Sequence, residues 1–385
     1  MNLDIVLALA FYFIIIIIFF WKRDKFVVQN KIFIMYRTKI GLSLMDWLAK
    51  KVPRLLNLLG YLSIFIGFIA MAVIVVMLIW LTGKLVFVPG SDPGLAPILP
   101  GVQVSPDLPV LGFWHWIISI FVLALVHEFF HGVYSRLNNI PVKSSGVAFL
   151  GPILAAFVEP DEEILSKKSK KAQLEVFSAG PFANFLTAGF FILILSLILN
   201  PLISSLAVPG LEIVDVSAGS PIDLAGIMAG DYLMELNNVE TKDTNNFRKA
   251  VVDLVPGVVV KIRTDKSEYS VVAVENPDNP SVGFLGFKVT NSQLDKDDHP
   301  VLIWIYFLVF WGVILNIGVG LFNLLPLGPV DGGRMFLTGI SVFIKDNEKA
   351  NKLYSFMTVF MLLLVFINIL PWLWKLILYL IGIFV

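Results

Sequence analysis

His127-Glu128-Phe129-Phe130-His131 sets two imidazoles four residues apart, with a carboxylate beside the first. On a helix, positions i and i+4 lie on one face with roughly 6 Å between their Cβ atoms. Two rings so placed can hold one divalent cation, and Glu128 can take a proton from a water bound to it. The chain has no cysteine and only four histidines, which excludes thiolate zinc sites, Fe–S clusters, disulfides and thiol catalysis. A catalytic zinc takes three protein ligands and a water, so the pair is one ligand short. His115 stands more than two turns away on the same stretch, and His299 sits at the edge of a polar insert. The best remaining ligand is Asp331, in Asn323-Leu-Leu-Pro326-Leu-Gly-Pro329-Val-Asp331-Gly332-Gly333. A zinc ion, one aspartate and one hydroxide sum to zero charge, which a low-dielectric site accepts more easily than a net charge.

Two further polar elements stand out. Ser178-Ala-Gly180-Pro181-Phe-Ala-Asn184 combines small residues, which let another helix approach closely, with an amide that needs a partner. Asn184 can hold a substrate backbone, stabilise an oxyanion or bond a neighbouring helix. Asn316 poses the same question, with packing the favoured answer. Pro326 and Pro329 break a helix, and broken helix at membrane depth persists only where protein or water covers it.

The elements that must position these groups are apolar helices. Hydrophobic residues make up 57% of the 385 residues, charged residues only 15%, and the mean hydropathy is +0.83. These values exclude an ordinary soluble enzyme and a disordered chain. Lys plus Arg and Asp plus Glu each total 29, so no basic field argues for nucleic acid. A spanning helix needs roughly 20 apolar residues. Six stretches qualify: Leu3–Trp21, Leu58–Leu81, Phe113–Tyr134, Leu174–Leu199, Leu302–Leu325 and Leu353–Leu370. The tail Trp372–Val385 is apolar but shorter than a span, with Trp372, Trp374 and Lys375 as interfacial anchors. Each ionisable group at a bilayer centre costs about 2.5–3.5 kcal/mol, so a cluster of three in one span implies function.

Cations concentrate in the segments joining spans one and two, three and four, and five and six, while Gly83–Gly112 carries only Lys84. The positive-inside rule puts the first three in the cytoplasm, and the region between spans four and five outside. Phe33, Met35, Tyr36, Met45, Trp47 and Leu48, mixed with basic residues, suit a helix lying in the headgroup plane. From about Val208 to Lys296 the composition turns polar, with strand-like alternation at Leu211–Val216 and Val258–Arg263. The fold class expected is an α-helical polytopic membrane protein of about six transmembrane helices with one inserted small α+β domain. Its parts are residues 1–56 (anchor helix and basic interfacial segment), 57–207, 208–296 (the insert) and 297–385.

His127-Glu128-x-x-His131, Gly180-Pro181-x-x-Asn184 and Asn323-x-x-Pro326-x-x-Pro329-x-Asp331-Gly332, in this order, resemble the site-2 protease family of intramembrane metalloproteases. The insert resembles the PDZ domain found at this place in many prokaryotic members: Gly219-Ser-Pro-Ile-Asp-Leu-Ala-Gly226, then Gly230-Asp231, then Asn237-Asn238-Val239. It departs slightly, with Ile222 where Ala is usual and Asn237-Asn238 for Asn-Gly. Arg37–Gly41 and Val158–Asp161 look like archaeal-type members. The resemblance implies Zn2+ held by His127, His131 and Asp331, and Glu128 as general base. It also implies substrate positioning by Asn184 and Asn323, and hydrolysis of a peptide bond within or beside a transmembrane segment of another protein. The PDZ-like insert is then extracytoplasmic, with a peptide or chain end as its ligand, and the active site opens toward the cytoplasm. Gly146–Pro160, with Gly151-Pro152 at its middle, reads as a membrane-dipping hairpin whose edge pairs with an extended substrate. A membrane zinc transporter and a catalytically inactive adaptor are the competing readings.

Overall fold

The computed structural model describes residues 3–21, 26–29, 33–91, 93–102, 105, 108–150, 153–206, 210–241, 244–252, 254–277, 279–291, 299–328 and 330–384. The chain divides into two compact units, Met1–Leu193 with Phe307–Val385, and Ile194–Tyr306.

The first unit opens with helix α1 (Leu3–Trp21), strands β1 (Phe26–Gln29) and β2 (Phe33–Thr38), and helices α2 (Leu42–Lys51) and α3 (Pro53–Phe87). Pro53 starts α3 at a position where its missing N–H costs nothing. Helix α4 (Phe113–Leu137) leads into a hairpin of β3 (Val142–Leu150) and β4 (Ile153–Pro160), followed by the short α5 (Glu162–Lys167) and α6 (Lys170–Ile194). Past the second unit come α10 (Pro300–Asn323, entering from that unit), α11 (Asp331–Phe343) and α12 (Asn347–Phe384).

Among the described residues, five helices are long and apolar enough to cross a membrane: Pro53–Phe87, Phe113–Leu137, Lys170–Leu206, Pro300–Asn323 and Asn347–Lys375. Helix α1 forms over the expected bounds, Leu3–Trp21, and is apolar throughout apart from Asp4. The apolar tail from Trp372 prolongs α12, which runs on through Pro371.

Helix α6 is the centre of this unit. Its residues 172–184 are all buried, including the polar Gln173, Glu175, Ser178 and Asn184. Small residues set its spacing to α3, where Ser63 and Ser178 share a hydrogen bond of 2.8 Å. The surrounding core draws Met45 from α2, Leu56, Ala70 and Met71 from α3, Val133 and Tyr134 from α4, and Met335 from α11.

The strands form one antiparallel sheet in the order β1-β2-β3-β4. Phe33 pairs with Leu150 and Thr38 with Ser145, while Val142 pairs with Pro160 and Leu150 with Ile153. The expected hairpin is therefore present, with Gly151 and Pro152 outside the described residues. The expected headgroup-plane helix across Phe33–Leu48 is corrected in its first half. Residues 33–38 are a strand, because β3 offers them a complete ladder, and only Leu42–Lys51 is helical. Arg37 and Glu159 form an ion pair across this sheet at 3.5 Å. Asp161 ends β4 by accepting the Ile164 N–H at 3.1 Å to cap α5. That bond, with Lys143 beside it, holds its carboxyl below the usual carboxylate range.

The second unit continues α6 through a π-helical turn, Leu195–Leu199, into α7 (Asn200–Leu206). Strand β5 (Leu211–Val216), helix α8 (Pro221–Leu224), strands β6 (Tyr232–Leu236) and β7 (Val239–Glu240), and helix α9 (Thr244–Val251) follow. Strands β8 (Val259–Thr264), β9 (Glu268–Val272), β10 (Val274–Asn276), β11 (Asn279–Phe284) and β12 (Phe287–Asn291) complete it. The main sheet runs β12-β5-β6-β8-β9, with β7 beside β6 and a separate β10-β11 hairpin. Leu211 and Ile213 of β5 and Val260 and Ile262 of β8 fill its core from alternate strand positions, joined by Leu233 and Leu236 of β6 on either side of a register shift. Asn237 and Asn238 take φ 51° and 64°. Both are left-handed, as a two-residue hairpin turn requires, and asparagine is the side chain that tolerates this best after glycine.

Candidate metal centre and catalytic cavity

Helix α4 delivers His127 and His131 to one face, with ring centroids 4.7 Å apart and planes at 76°. Both are buried. One ligand atom from each of His127, Glu128 and His131 lies within 4.8 Å of the others. From far along the chain, Asp331 brings Oδ2 to 3.0 Å from His127 Nε2 and 3.2 Å from His131 Nε2.

The approach of Asp331 depends on the broken helix. Helix α10 stops at Asn323, a turn follows, and α11 begins at Asp331. A Cβ on Gly332 would stand 2.2 Å from the Leu324 carbonyl carbon, and one on Gly333 would stand 2.0 Å from the Leu327 oxygen. Only glycine allows the start of α11 to fold back onto the turn that closely. Pro329 lies outside the described residues.

Helix α6 closes the site from the other side. A Cβ on Gly180 would lie 2.5 Å from the Nε2 atoms of both histidines. The hydrogen of this glycine therefore borders the space where the two ring nitrogens converge. His131 Nδ1–H donates to the Val176 carbonyl at 2.6 Å, and His127 Nδ1 faces the Asn184 amide at 3.1 Å. Two Nε2 atoms and a carboxylate oxygen thus meet at one point beside a residue-free gap. This donor set and spacing fit zinc with one position open for water.

Glu128 Oε2 accepts the Val158 N–H of β4 at 2.9 Å. A cavity of about 350 Å3 joins these groups, lined among others by His127, Glu128, His131, Asn323 and Asp331. Glu162 and Arg334, both exposed and ion-paired at 3.0 Å, also line it, so the cavity has a polar route outward.

The structure thus gathers His127, Glu128, His131, Asn184 and Asp331, and sets Asn323 on the cavity wall. Of the readings open for Asn184, the structure shows the bond to a neighbouring helix: it is fully buried, with its amide 3.1 Å from His127 Nδ1. Sequence reasoning did not single out the Val158 amide or the Val176 carbonyl, because backbone groups carry no residue-type signal. Arg334 was visible only as a charge following the two glycines.

A family model described as peptidase family M50 matches residues 115–367, the stretch that holds all of these groups. The chain is 30% identical over 351 residues to an uncharacterised protein of Methanocaldococcus jannaschii, covering 86% of this chain and 85% of that protein. It is 26% identical over 254 residues to the zinc metalloprotease RasP of Shouchella clausii, covering 52% of this chain and 59% of that protein. Among solved structures, the PDZ domain of an SdrC-like protein from Listeria monocytogenes covers 24% of this chain and 93% of that domain, with 16% identity and a TM-score of 0.20. The family match spans more than half of the chain and encloses the two-imidazole, one-carboxylate cluster, and the chain belongs to peptidase family M50 as a membrane zinc metalloprotease.

Proposed function

We propose that the chain cleaves other membrane proteins at a peptide bond within or next to a transmembrane segment, with His127, His131 and Asp331 holding the zinc and Glu128 as general base. The observation that carries the reading is the reach of Asp331 to both Nε2 atoms, at 3.0 and 3.2 Å, inside a set of apolar helices. Zinc held there would supply Lewis-acid activation of a water and of the carbonyl under attack. The Glu128 carboxylate would hold the proton given up by the attacking water and pass it to the leaving amine. The Val158 N–H holds the Glu128 carboxylate at the cavity edge meanwhile. Asn323 bonds the substrate backbone in this reading, which its position on the cavity wall supports.

A helical substrate hides its peptide bonds, so a segment must unwind before it is cut. Among the described residues β4 pairs with no strand but β3, and it borders the cavity. The Val158 amide points away from β3, toward Glu128, so by the two-residue alternation of a strand the Ala156 amide points outward too. An extended substrate pairs with that edge by strand addition.

The cytoplasmic placement of the site is supported by the pairing of β2 with β3. It joins two basic connecting segments that the positive-inside rule puts on one side. Region 208–296 then lies on the opposite side, where a small PDZ-like domain limits which proteins reach the helices, by size or by binding a chain end.

The test is Glu128→Gln in the purified full chain, set beside the parent on a membrane-protein substrate. Cleavage falls by roughly 10²–10⁴-fold while zinc content stays. Equal cleavage removes Glu128 from the mechanism. Zinc flux without cleavage makes the protein a transporter instead.

A further inference from the structure

Val176, Gly180 and Asn184 stand four residues apart on α6, one stripe along the helix, facing His131, both Nε2 atoms and His127 in turn. At the His131 end the outer partner is unambiguous. A carbonyl only accepts, so His131 Nδ1 carries the hydrogen and Nε2 keeps its lone pair for a ligand.

At the His127 end the partner is an amide, which can donate or accept. Asn184 presents Nδ2 to His127 Nδ1, and its Oδ1 is buried without a hydrogen-bond partner. This arrangement belongs to a ring whose Nε2–H donates to Asp331 Oδ2, at 3.0 Å, and whose Nδ1 accepts. A cation on Nε2 needs the other tautomer, with the hydrogen on Nδ1. The same contact is kept if the amide turns over, so that the orphaned Oδ1 accepts from Nδ1–H.

We infer that Asn184 is a positioning residue for His127, whose amide oxygen accepts from Nδ1–H when zinc is held and so fixes Nε2 as the ligating nitrogen. This rests on His127 being a zinc ligand. It assigns Asn184 to the metal and not to substrate, in keeping with its complete burial away from the cavity wall. Outer partners of ligating imidazoles are worth roughly 10–100-fold in metal affinity.

The experiment measures zinc dissociation constants by chelator competition on the detergent-solubilised full chain, for the parent, Asn184→Leu, Asn184→Asp and His127→Ala. Asn184→Leu has nearly the same shape and no hydrogen bond, and binds zinc roughly 10–100-fold more weakly. Asn184→Asp, when ionised, can only accept, so it keeps the bond to Nδ1–H and holds zinc far more tightly than His127→Ala does. A Leu variant as tight as the parent, or an Asp variant as weak as His127→Ala, overturns the inference; the Asp arm decides alone if the Leu variant does not fold. His127→Ala separates the two levels: zinc held as tightly without that ring would refute the ligand set beneath the inference, whatever the Asn184 variants do.

Discussion

Gly180→Ala asks one methyl group to enter the space between the two ligating rings. The added Cβ would stand 2.5 Å from each Nε2, against 3.4 Å for ordinary contact, so about 0.9 Å must be found. Helix α6 has little freedom to supply it, because residues 172–184 are buried on all sides. The rings must therefore yield, while metal–ligand distances tolerate only about 0.2 Å. Overpacking a core by a methyl costs about 1–3 kcal/mol. At about 1.4 kcal/mol per tenfold, zinc binding weakens roughly 5- to 140-fold if the strain falls on the ligands. Helix propensity alone points the other way, since Ala is better than Gly in a helix by about 1 kcal/mol. Gly189→Ala is the control: it lies on the same helix with nothing within 4 Å of its added Cβ. The assay is zinc affinity by chelator competition, with thermal unfolding alongside. Weak zinc binding in Gly180→Ala and parent-like binding in Gly189→Ala are expected. Parent-like zinc affinity in both would refute the claim that Gly180 borders the metal position.

Ala156→Pro removes an outward amide from β4 without costing a β3–β4 hydrogen bond, so peptide cleavage slows while zinc content holds; unchanged cleavage rates would exclude strand addition at this edge. Deleting residues 208–296 broadens the range of membrane proteins cut, read by fragment mass spectrometry of treated membranes, and an unchanged set of fragments would reduce that region to a spacer.

The site was legible in the sequence because ionisable residues in apolar stretches stand out against their surroundings. His127, Glu128 and His131 follow from helical spacing alone, and Asp331 from the proline and glycine residues that break the helix before it. The hairpin announced itself by Gly151-Pro152 between two short apolar runs. The strand at residues 33–38 did not, because a short run such as Phe33-Ile-Met-Tyr-Arg-Thr is compatible with helix or strand. Its partner, β3, begins more than a hundred residues later. The tail after Leu370 was too short to read as a span of its own, and the structure joins it to α12, which runs through Pro371. The partner of Asn184 was beyond reach as well. Spacing gives the face of a helix on which a residue sits, and only packing gives the rotation of one helix against another.

Zinc K-edge absorption on the purified parent and on Asp331→Ala tests the ligand set most directly. The account predicts one zinc per chain in the parent, with two imidazole nitrogens at about 2.0–2.1 Å and carboxylate oxygen at about 2.0–2.2 Å. Removing the Asp331 carboxylate should strip that oxygen and most of the bound metal. An Asp331→Ala protein that keeps the parent's zinc content and the parent's spectrum would contradict it.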